Sequence, residues 1–454
     1  MAIELSNLTF TEQDDVVPAS GVEEIFNTGI ANTLAGNDSI TGTKNINRPT
    51  SLASSIFNSG TLNTADGDDI ITGTIRGSLF APYSIASIFN SGTLNTGDGD
   101  DIIMGTISGS VLPGFPVSIS NSGTLNTGDG NDIITGNSIV YNQQNGTIDT
   151  GDGNDIIIGS TVNINTGSIN TGNGDDTITG SGNFYAGIDV NSLASLDTGK
   201  GKDIITGTGR YGIANSFIIN TGEGNDKLTG NGTLSGGYGI INVGTMDTGA
   251  GNDEITGTNA GGRGIYNYSG NILDTGNGSD TITGTGSTYG IHNNGTLNTS
   301  NGSDIITGTS TTEGGYAIYN AGIINTGNND DSIIANGGIY NNGGSINTGN
   351  GNDSIIANGG FESAPNSSGS VFLGEGEDYI KGFGSGDFYG GNGNDTLELT
   401  PGTYTVGIWG EGGESPIFTK GNQLMITSEF EKLIAGNTLY DFTSLTAGQI
   451  ITVA

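Results

Sequence analysis

The chain has 454 residues, of which 85 are glycine and only 32% are apolar, so it lacks the side chains that fill an ordinary globular core. It carries 11 Lys and Arg against 47 Asp and Glu, a formal net charge of −36, which argues against nucleic acid as a partner because phosphate binding needs clustered basic residues. It has no cysteine, which excludes disulfides and thiolate metal sites.

Residues 1–26 precede the first repeat and are predicted to form an N-terminal cap. The start, Met1-Ala2-Ile3-Glu4-Leu5, has no basic region followed by an apolar one, so no cleaved secretory signal is expected here. No apolar stretch of the chain approaches the roughly 18 residues that cross a bilayer, and no membrane span is predicted.

A short acidic segment of the form T-G-x-G-N/D-D-x-I-x-G recurs through residues 27–360 and beyond, as in Thr127 to Gly136. Its last acidic residue occurs fifteen times between Asp38 and Asp395, with a mean spacing of about 25 residues. A roll built from two nonapeptides per turn would need about 18 residues. Each coil therefore contains one such turn and further regular elements.

Most of these turns follow a second pattern, I-x-N-x-G-x-I/L-N/D-T, as in Ile56 to Thr64. We predict three short strands per coil, at Ile56, at Leu62 and, after the aspartate, at Ile70-Ile71. Such strands gain stability only when coils stack and each strand pairs with its copy about 4.8 Å away. The predicted fold is an all-β, right-handed parallel β-helix or β-roll solenoid of about 15 coils, with a small β-rich C-terminal unit over residues 361–454.

Length varies mainly between the third strand of one coil and the first strand of the next. A long example runs from Ile75 to Tyr83. Insertions gathered at one corner are typical of solenoids. Partner specificity is expected along this irregular edge.

The repeated aspartates are predicted to bind calcium. Carboxylates stacked about 5 Å apart repel by roughly 3 kcal/mol per pair at an effective dielectric constant of 20. A Ca²⁺ ion between coils would remove that repulsion, since it accepts about six to eight oxygen ligands. The predicted ligands are Asp69, Asp101, Asp132, Asp155, Asp176, Asp226, Asp253, Asp280, Asp304, Asp331, Asp353, Asp378 and Asp395. The alternative is that Asp and Asn are only turn formers that cap their own backbone.

Some copies of the turn depart from the pattern. Leu34, Ala65 and Ser300 replace the first glycine, and Asn329 replaces the second. Lys200 and Lys202 lie beside Asp203. Poorer calcium occupancy is expected near Leu34 and Lys200, so Asp38 and Asp203 are left out of the predicted ligand set.

The segment from Gly390 to Glu398 fits the nonapeptide G-G-x-G-x-D-x-U-x at every defined position. Here the chain resembles the haemolysin-type calcium-binding repeat (RTX) proteins. Asp378, Asp387 and Asp395 are spaced like a two-nonapeptide roll, whereas earlier coils depart from the family by having one nonapeptide each. The tail, Ser428 to Thr443, is similar to the ends of cyanobacterial exoproteins of this family. The resemblance implies an uncleaved C-terminal type I secretion signal and an extracellular or cell-surface location.

Other repeated residues have two interpretations. Asparagines recur in two rows, beginning at Asn58 and at Asn63, and form either stacked amide ladders or a recognition ladder for sugar or ice. A threonine row beginning at Thr64 could form a flat ice-binding face. His292, the only histidine, is expected to point outward at the position of Tyr266, which argues against a hydrolase with a histidine base.

The predicted function is a secreted, calcium-binding structural protein of the cell surface, assembled head to tail into a fibril, sheath or surface layer. It is not predicted to be an enzyme. A calcium-dependent adhesin or a binder of extracellular polysaccharide is the alternative. A polysaccharide-modifying enzyme, with its acid and base hidden in the acidic array, is a further one. Trp409 is predicted to lie in a capping core.

Overall fold

The structure is a computed structural model that describes residues 2–18, 23–46, 53–77, 85–109, 116–182, 185–364, 367–409 and 415–454. The chain divides into two compact units, Met1–Lys227 (unit 1) and Leu228–Ala454 (unit 2). The described residues form strands and two short 3-10 helices, η1 (Leu5–Asn7) and η2 (Phe442–Ser444), and contain no α-helix. No helix in this part of the chain has the length and apolar character needed to cross a membrane.

Each coil of unit 1 has a first, a second and a third strand. The first strands are β1 (Ala2–Glu4), β3 (Glu24–Asn27), β6 (Ile56–Asn58), β9 (Ala86–Asn90), β12 (Val117–Asn121), β15 (Ile139–Asn142), β18 (Thr161–Ile164), β21 (Ala186–Val190) and β24 (Tyr211–Asn215). The second strands are β4 (Ile30–Asn32), β7 (Thr61–Asn63), β10 (Thr93–Asn95), β13 (Thr124–Asn126), β16 (Thr147–Asp149), β19 (Ser168–Asn170), β22 (Ser195–Asp197) and β25 (Ile218–Asn220). The third strands are β2 (Val16–Val17), β5 (Ser39–Ile46), β8 (Ile70–Gly77), β11 (Ile102–Ser108), β14 (Ile133–Gly136), β17 (Ile156–Gly159), β20 (Thr177–Gly180) and β23 (Ile204–Gly209), and β26 (Lys227–Gly232) begins at the last residue of the unit.

Unit 2 repeats the same order. Its first strands are β27 (Tyr238–Asn242), β30 (Arg263–Asn267), β33 (Tyr289–Asn293), β36 (Tyr316–Asn320), β39 (Gly338–Asn341) and β42 (Phe361–Glu362). Its second strands are β28 (Thr245–Asp247), β31 (Ile272–Asp274), β34 (Thr296–Asn298), β37 (Ile323–Asn325), β40 (Ser345–Asn350), β43 (Ser370–Gly376) and β45 (Gly386–Gly393). Its third strands are β29 (Glu254–Asn259), β32 (Thr281–Gly286), β35 (Ile305–Ser310), β38 (Ser332–Asn336), β41 (Ser354–Ala357), β44 (Tyr379–Lys381) and β46 (Thr396–Leu399). The chain ends with β47 (Gly402–Trp409), β48 (Ser415–Lys420), β49 (Gln423–Ser428), β50 (Lys432–Ala435), β51 (Thr438–Asp441) and β52 (Ile450–Val453).

Within each unit, every strand of a coil pairs in parallel with the equivalent strand of the next coil. In unit 1, Asn58 opposes Asn90, Leu94 opposes Leu125 and Ile102 opposes Ile133. This pairing confirms the predicted parallel β-helix with three strands per coil. Side chains alternate along each strand, so most strands bury an inward apolar side chain, usually Ile or Leu, and each buried Ile or Leu stabilises the fold by about 1.5–3 kcal/mol.

The corner between the second and third strands has the same length in successive coils: residues 64–69, 96–101 and 127–132. Its first glycine has a left-handed backbone, with φ +83° at Gly128. A Cβ atom on Gly128 would lie 1.9 Å from the carbonyl oxygen of Gly97 in the previous coil. Glycine is therefore required both by its φ angle and by the close backbone contact between stacked turns.

The corner between the third strand and the next first strand has no fixed length. It spans residues 311–315 between β35 and β36 but only Gly337 between β38 and β39. The predicted irregular edge is confirmed at this corner. The longest segments, including most of the stretch from Ile75 to Tyr83, lie largely outside the described residues.

Residues 2–18 lie over the first complete coil of unit 1. β1 pairs with β3, β2 pairs with β5, and a Cβ atom on Gly29 would lie 2.9 Å from Ser6 of η1. The predicted cap of residues 1–26 thus includes a covering segment and also the start of β3.

At the end of unit 2, β49 and β50 still pair in parallel with β45 and β46. Antiparallel pairing is added between β47 and β48, β48 and β49, β47 and β52, and β50 and β51. Tyr404 and Phe418 are fully buried in this region. Trp409 is 62% exposed because it opposes Ser415 at the end of the β47–β48 pair. The prediction that Trp409 lies in a capping core is therefore wrong.

The coil that contains β45 and β46 resembles a roll more than the coils before it. Only residues 382–385 separate β44 from β45, and no first strand is assigned there. Asp387 lies within β45, opposite Ser370, and not in a turn. The roll-like spacing of Asp378, Asp387 and Asp395 therefore arises from the loss of a strand, and Asp387 has no part in the turn pattern.

Ala65 occupies the first-glycine position of its turn with φ +62°. Because the left-handed region costs a non-glycine residue roughly 1–2 kcal/mol, we expect Ala65→Gly to raise the free energy of unfolding by about 1 kcal/mol in urea titrations. The control is Ala31→Gly, in the buried middle of β4, which should lower it. Destabilisation by both variants would contradict the strain argument.

Candidate metal centre

The last aspartate of every acidic turn is buried at the corner between the second and third strands. All thirteen predicted ligands, together with Asp38 and Asp203, are only 0–2% exposed. Fifteen copies of the turn thus form a column of eight carboxyl groups in unit 1 and of seven in unit 2. The sequence predicted the stacking of these side chains but not the depth of their burial.

Each column is held by hydrogen bonds between coils. The backbone N–H of Asp101 donates to Oδ1 of Asp132 at 2.8 Å, and the N–H of Asp132 donates to Oδ1 of Asp155 at 2.8 Å. The same bond, at 2.7–2.9 Å, repeats from Asp38 to Asp226 in unit 1 and from Asp253 to Asp395 in unit 2. One oxygen of each of these acceptor carboxyls therefore has a structural role in the stacking.

Two residues that the sequence analysis missed extend the columns. The N–H of Asp15 donates to Oδ1 of Asp38 at 2.8 Å, and the N–H of Asp395 donates to Oε2 of Glu431 at 2.7 Å. Asp15 could have been found, because Asp14-Asp15-Val16-Val17 has the acidic-apolar form of the turn without its glycines. Glu431 has no such signal, because its segment matches no repeat, although it lies between β49 and β50, which pair in parallel with β45 and β46.

The second carboxylate oxygen, Oδ2, is buried in nearly every member of the column. At Asp176 it accepts a hydrogen bond from Oγ1 of Thr171 at 2.5 Å. No described residue meets ordinary hydrogen-bond geometry as a donor to the buried Oδ2 atoms of Asp38, Asp69, Asp101, Asp132, Asp155, Asp203, Asp280, Asp304, Asp331, Asp353, Asp378 and Asp395, although a threonine hydroxyl lies close enough to Asp69 and to Asp101 to act on their pKa. Buried polar atoms normally have partners, so these oxygens need a proton or a cation.

Burial makes the charged form of these carboxyls unfavourable. It raises the pKa of Asp69 to about 7, that of Asp101 to about 8 and that of Asp155 to about 6. The hydroxyl of the threonine five residues earlier and the accepted backbone N–H oppose the rise, whereas the carboxylates of neighbouring coils add to it. At neutral pH the protonated and ionised forms of these carboxyl groups are therefore close in free energy.

The chemistry of the column suits a hard cation, because calcium prefers carboxylate and carbonyl oxygens and the glycine turns expose carbonyl groups. Each coil contributes one turn aspartate. The described residues contain no group of three or more His, Cys, Asp or Glu side chains that could hold a metal ion. A calcium ion at the column would therefore be held by the Oδ2 atoms of neighbouring coils together with backbone carbonyl oxygens.

A second acidic row lies on the outside of the turn in unit 1. The N–H of Asp100 donates to Oδ1 of Asp68 at 3.0 Å, and the N–H of Asn131 donates to Oδ1 of Asp100 at 2.8 Å. These exposed residues satisfy backbone donors of the following coil, which supports the turn-former interpretation for the outer row.

Lys200 pairs with Glu223 at 3.0 Å on the exposed side and not with Asp203.

The first asparagine row is an internal amide ladder. Nδ2 of Asn58 donates to Oδ1 of Asn90 at 2.8 Å and to the carbonyl of Thr93 at 2.7 Å, and both asparagines are buried. The row therefore stabilises the stacking and offers no recognition surface. The threonine row that begins at Thr64 is also buried, so the hypothesis of an ice-binding face on that row is wrong.

His292 opposes Tyr266 and Tyr319 in register, as predicted. Its ring lies 4.6 Å from that of Tyr266 and 4.4 Å from that of Tyr319, centroid to centroid. Burial and, to a smaller extent, nearby Arg263 lower the pKa of His292 to about 4. The neutral ring therefore packs as one member of an aromatic row.

Comparison with known proteins gives few matches. No protein-family model and no curated protein matches the chain. Among solved structures, the chain is similar to the X-ray crystal structure of a hyperactive, Ca²⁺-dependent, β-helical antifreeze protein from an Antarctic bacterium. The identity is 15%, the match covers 96% of each chain and the TM-score is 0.34. The fold assignment rests on the strand pairing of the chain itself.

The raised pKa values predict how stability depends on pH. The folded carboxyls bind protons more tightly than unfolded ones, whose pKa is near 3.8, so this stabilisation is complete below about pH 4 and is lost as the pH rises through about 7. In EDTA, we expect the urea midpoint to be higher at pH 5 than at pH 8. A midpoint that rises or stays constant over this range would contradict the buried, uncompensated column.

Proposed function

We propose that this chain is a calcium-stabilised structural solenoid of the RTX type that works outside the cell as a component of its surface. The single observation that carries the proposal is the column of buried aspartates with unpartnered Oδ2 atoms. Such a column destabilises the folded chain at neutral pH unless a cation or protons neutralise it. Calcium binding would therefore make the folded chain stable in a medium that is rich in calcium.

The external location is supported by the C-terminal region and by composition. Residues 390–398 match the nonapeptide, and the segment from Ser428 to Thr443 is similar to the ends of type I-secreted exoproteins. A net charge of −36 also suits a medium that supplies divalent cations.

The absence of catalysis is part of the proposal. The turn aspartates are buried in the columns, and His292 is buried among tyrosines. An acid and a base for a polysaccharide-modifying enzyme would have to be accessible to the substrate. The packing of these residues therefore favours a structural role.

Calcium should restore the stability that high pH removes. At pH 8 we expect calcium to raise the urea midpoint and EDTA to reduce the β-structure signal in far-UV circular dichroism. Magnesium at equal ionic strength is the control, because it demands a smaller octahedral site. A spectrum and a midpoint that do not respond to calcium would contradict the proposal.

The variant Asp132→Asn separates the metal role from the structural one. Asn keeps an Oδ1 acceptor for the N–H of Asp101 but carries no charge, so in EDTA it should be at least as stable as the native chain at pH 8. It should also gain less stability from calcium. Asp132→Ala is the matched control, since it removes the acceptor and should cost about 1–3 kcal/mol with or without calcium.

Self-association into a fibril or layer is supported by edge strands and exposed apolar side chains. Among the described residues, β2 pairs only with β5, and its Val16 is 60% exposed. At the other terminus of the chain, Leu439 in the edge strand β51 and Ile450 in β52 are also exposed. Unpaired strand edges readily pair with another chain.

We expect calcium-loaded protein to form polymers that negative-stain microscopy and light scattering detect. Val16→Asp should reduce polymer formation, whereas Val243→Asp, which replaces an exposed valine in a turn of unit 2, should not. Monomeric protein at high concentration and millimolar calcium would overturn the fibril, but it would leave the calcium result intact.

A further inference from the structure

We propose that the outer face of the second strands of unit 1 is a binding groove for an extended, neutral, β-linked polysaccharide. This inference goes beyond the structural role and does not depend on calcium binding or on self-association. It concerns an outer face that contains neither the buried aspartate column nor the buried first asparagine row. We call it the Thr/Asn groove.

The groove is formed by two parallel rows of polar side chains that run from coil to coil, and its volume is about 720 Å³. One row supplies hydroxyl groups and the other supplies amide or carboxylate groups. The hydroxyl row contains Thr61, Thr93, Thr124, Thr147 and Ser168, and the second row contains Asn32, Asn63, Asn95, Asn126, Asp149 and Asn170.

The rows are straight because the second strand always contributes three residues in register. Thr61 opposes Thr93, and Thr93 opposes Thr124, while the leucine between each Thr and Asn is buried. The variation in coil length occurs at the other corner, between third and first strands, so it does not displace this face. The groove is therefore a regular array in a chain whose coils differ in length.

The amide row is fixed in position before any ligand binds. Nδ2 of Asn95 donates to Oδ1 of Asn63 at 2.7 Å, and Nδ2 of Asn126 donates to Oδ1 of Asn95 at 2.7 Å. Each linked amide keeps one N–H and one acceptor lone pair for a ligand. Because the ladder already orders these side chains, binding costs little further side-chain entropy.

The hydroxyl row adds a second set of hydrogen-bonding groups. The described residues supply no hydrogen bond to the hydroxyl groups of Thr61, Thr93 and Thr124. A carboxamide with one donor and one acceptor, beside a hydroxyl, matches the vicinal hydroxyl pair of a sugar ring.

The spacing of the array fits a polymer of sugars. Coils repeat about every 4.8 Å, which is close to the advance per residue of an extended chain of 1,4-linked pyranoses. One sugar ring would therefore lie over each coil. Because successive rings of a β-1,4-linked chain are turned by about half a turn, every second coil would meet the same edge of a ring. The groove has room for about five or six rings, one for each coil that lines it.

The charges on the groove select a neutral polymer. None of its lining residues is Lys or Arg, and Asp149 lies in the amide row. An acidic polysaccharide would be repelled by this residue and by the net charge of the chain. No aromatic side chain lines the groove, so each sugar contributes little and affinity must grow with ligand length.

The test compares a face variant with a matched control in the full chain. The face variant is Thr61→Val, Thr93→Val, Thr124→Val and Thr147→Val, which removes four hydroxyls without changing shape. The control is Thr72→Val, Thr135→Val, Thr179→Val and Thr206→Val, four outward threonines on third strands of the same unit. Probes are microcrystalline cellulose, chitin and β-1,4-linked oligosaccharides of two to six units, tested by pull-down and titration calorimetry.

We expect the native chain and the control to bind, with affinity rising through the oligosaccharide series. The face variant should bind roughly ten-fold or more weakly, because it lacks four hydroxyl groups that form hydrogen bonds with the ligand. Circular dichroism should show all three chains equally folded. Equal binding by the face variant, or no binding of any probe by the native chain, would overturn the proposal. So would a native chain that ignores glycans but binds ice through this face, measured as thermal hysteresis lost in the face variant.

Discussion

The structure depends on the in-register parallel stacking of coils. Within each unit, the backbone groups of a strand pair with those of the equivalent strand in the coil before or after it, and strands of about three residues are not stable without such pairing. Stacking also brings equivalent residues of successive coils into direct contact. Side chains are thus selected for how they pack against copies of themselves, as with Asn58 on Asn90 and Gly128 on Gly97.

Self-contact is favourable for amides and glycines but costly for carboxyls. An amide donates at one end and accepts at the other, so a ladder of asparagines satisfies itself. An ionised carboxylate only accepts, and the aspartate column resolves this by taking the backbone N–H of the previous coil with Oδ1. Its Oδ2 atoms stay buried and without a described donor at most positions. The free energy of unfolding therefore depends on how the negative charge of these oxygens is neutralised. Protons can do this at low pH, and a divalent cation could do it at higher pH.

The residues that hold the coils together differ from those that are exposed to a partner. The aspartate column and the first asparagine row are buried, so residues that looked like binding motifs hold the coils together. The sequence predicted that a partner would bind at the irregular edge. The site that we propose is instead the regular outer face of the second strands, because its rows stay straight when neighbouring loops change length. A ligand whose own repeat matches the coil spacing can contact every coil of such a face.

The sequence by itself determined the fold class, the three strands per coil, the glycine corner and the stacking of the aspartates. All of these follow from local periodicity and from turn chemistry that each repeat carries within itself. Only the tertiary structure decided that the aspartates are buried and donate their N–H groups along the column. It also separated the two asparagine rows, buried at Asn58 and half-buried at Asn63, because the direction of a side chain depends on strand register. Trp409 and Glu431 escaped prediction because neither lies in a repeat of the sequence. Trp409 is placed by the antiparallel pairing of β47 with β48, whereas Glu431 is placed by the parallel pairing of β49 and β50 with β45 and β46.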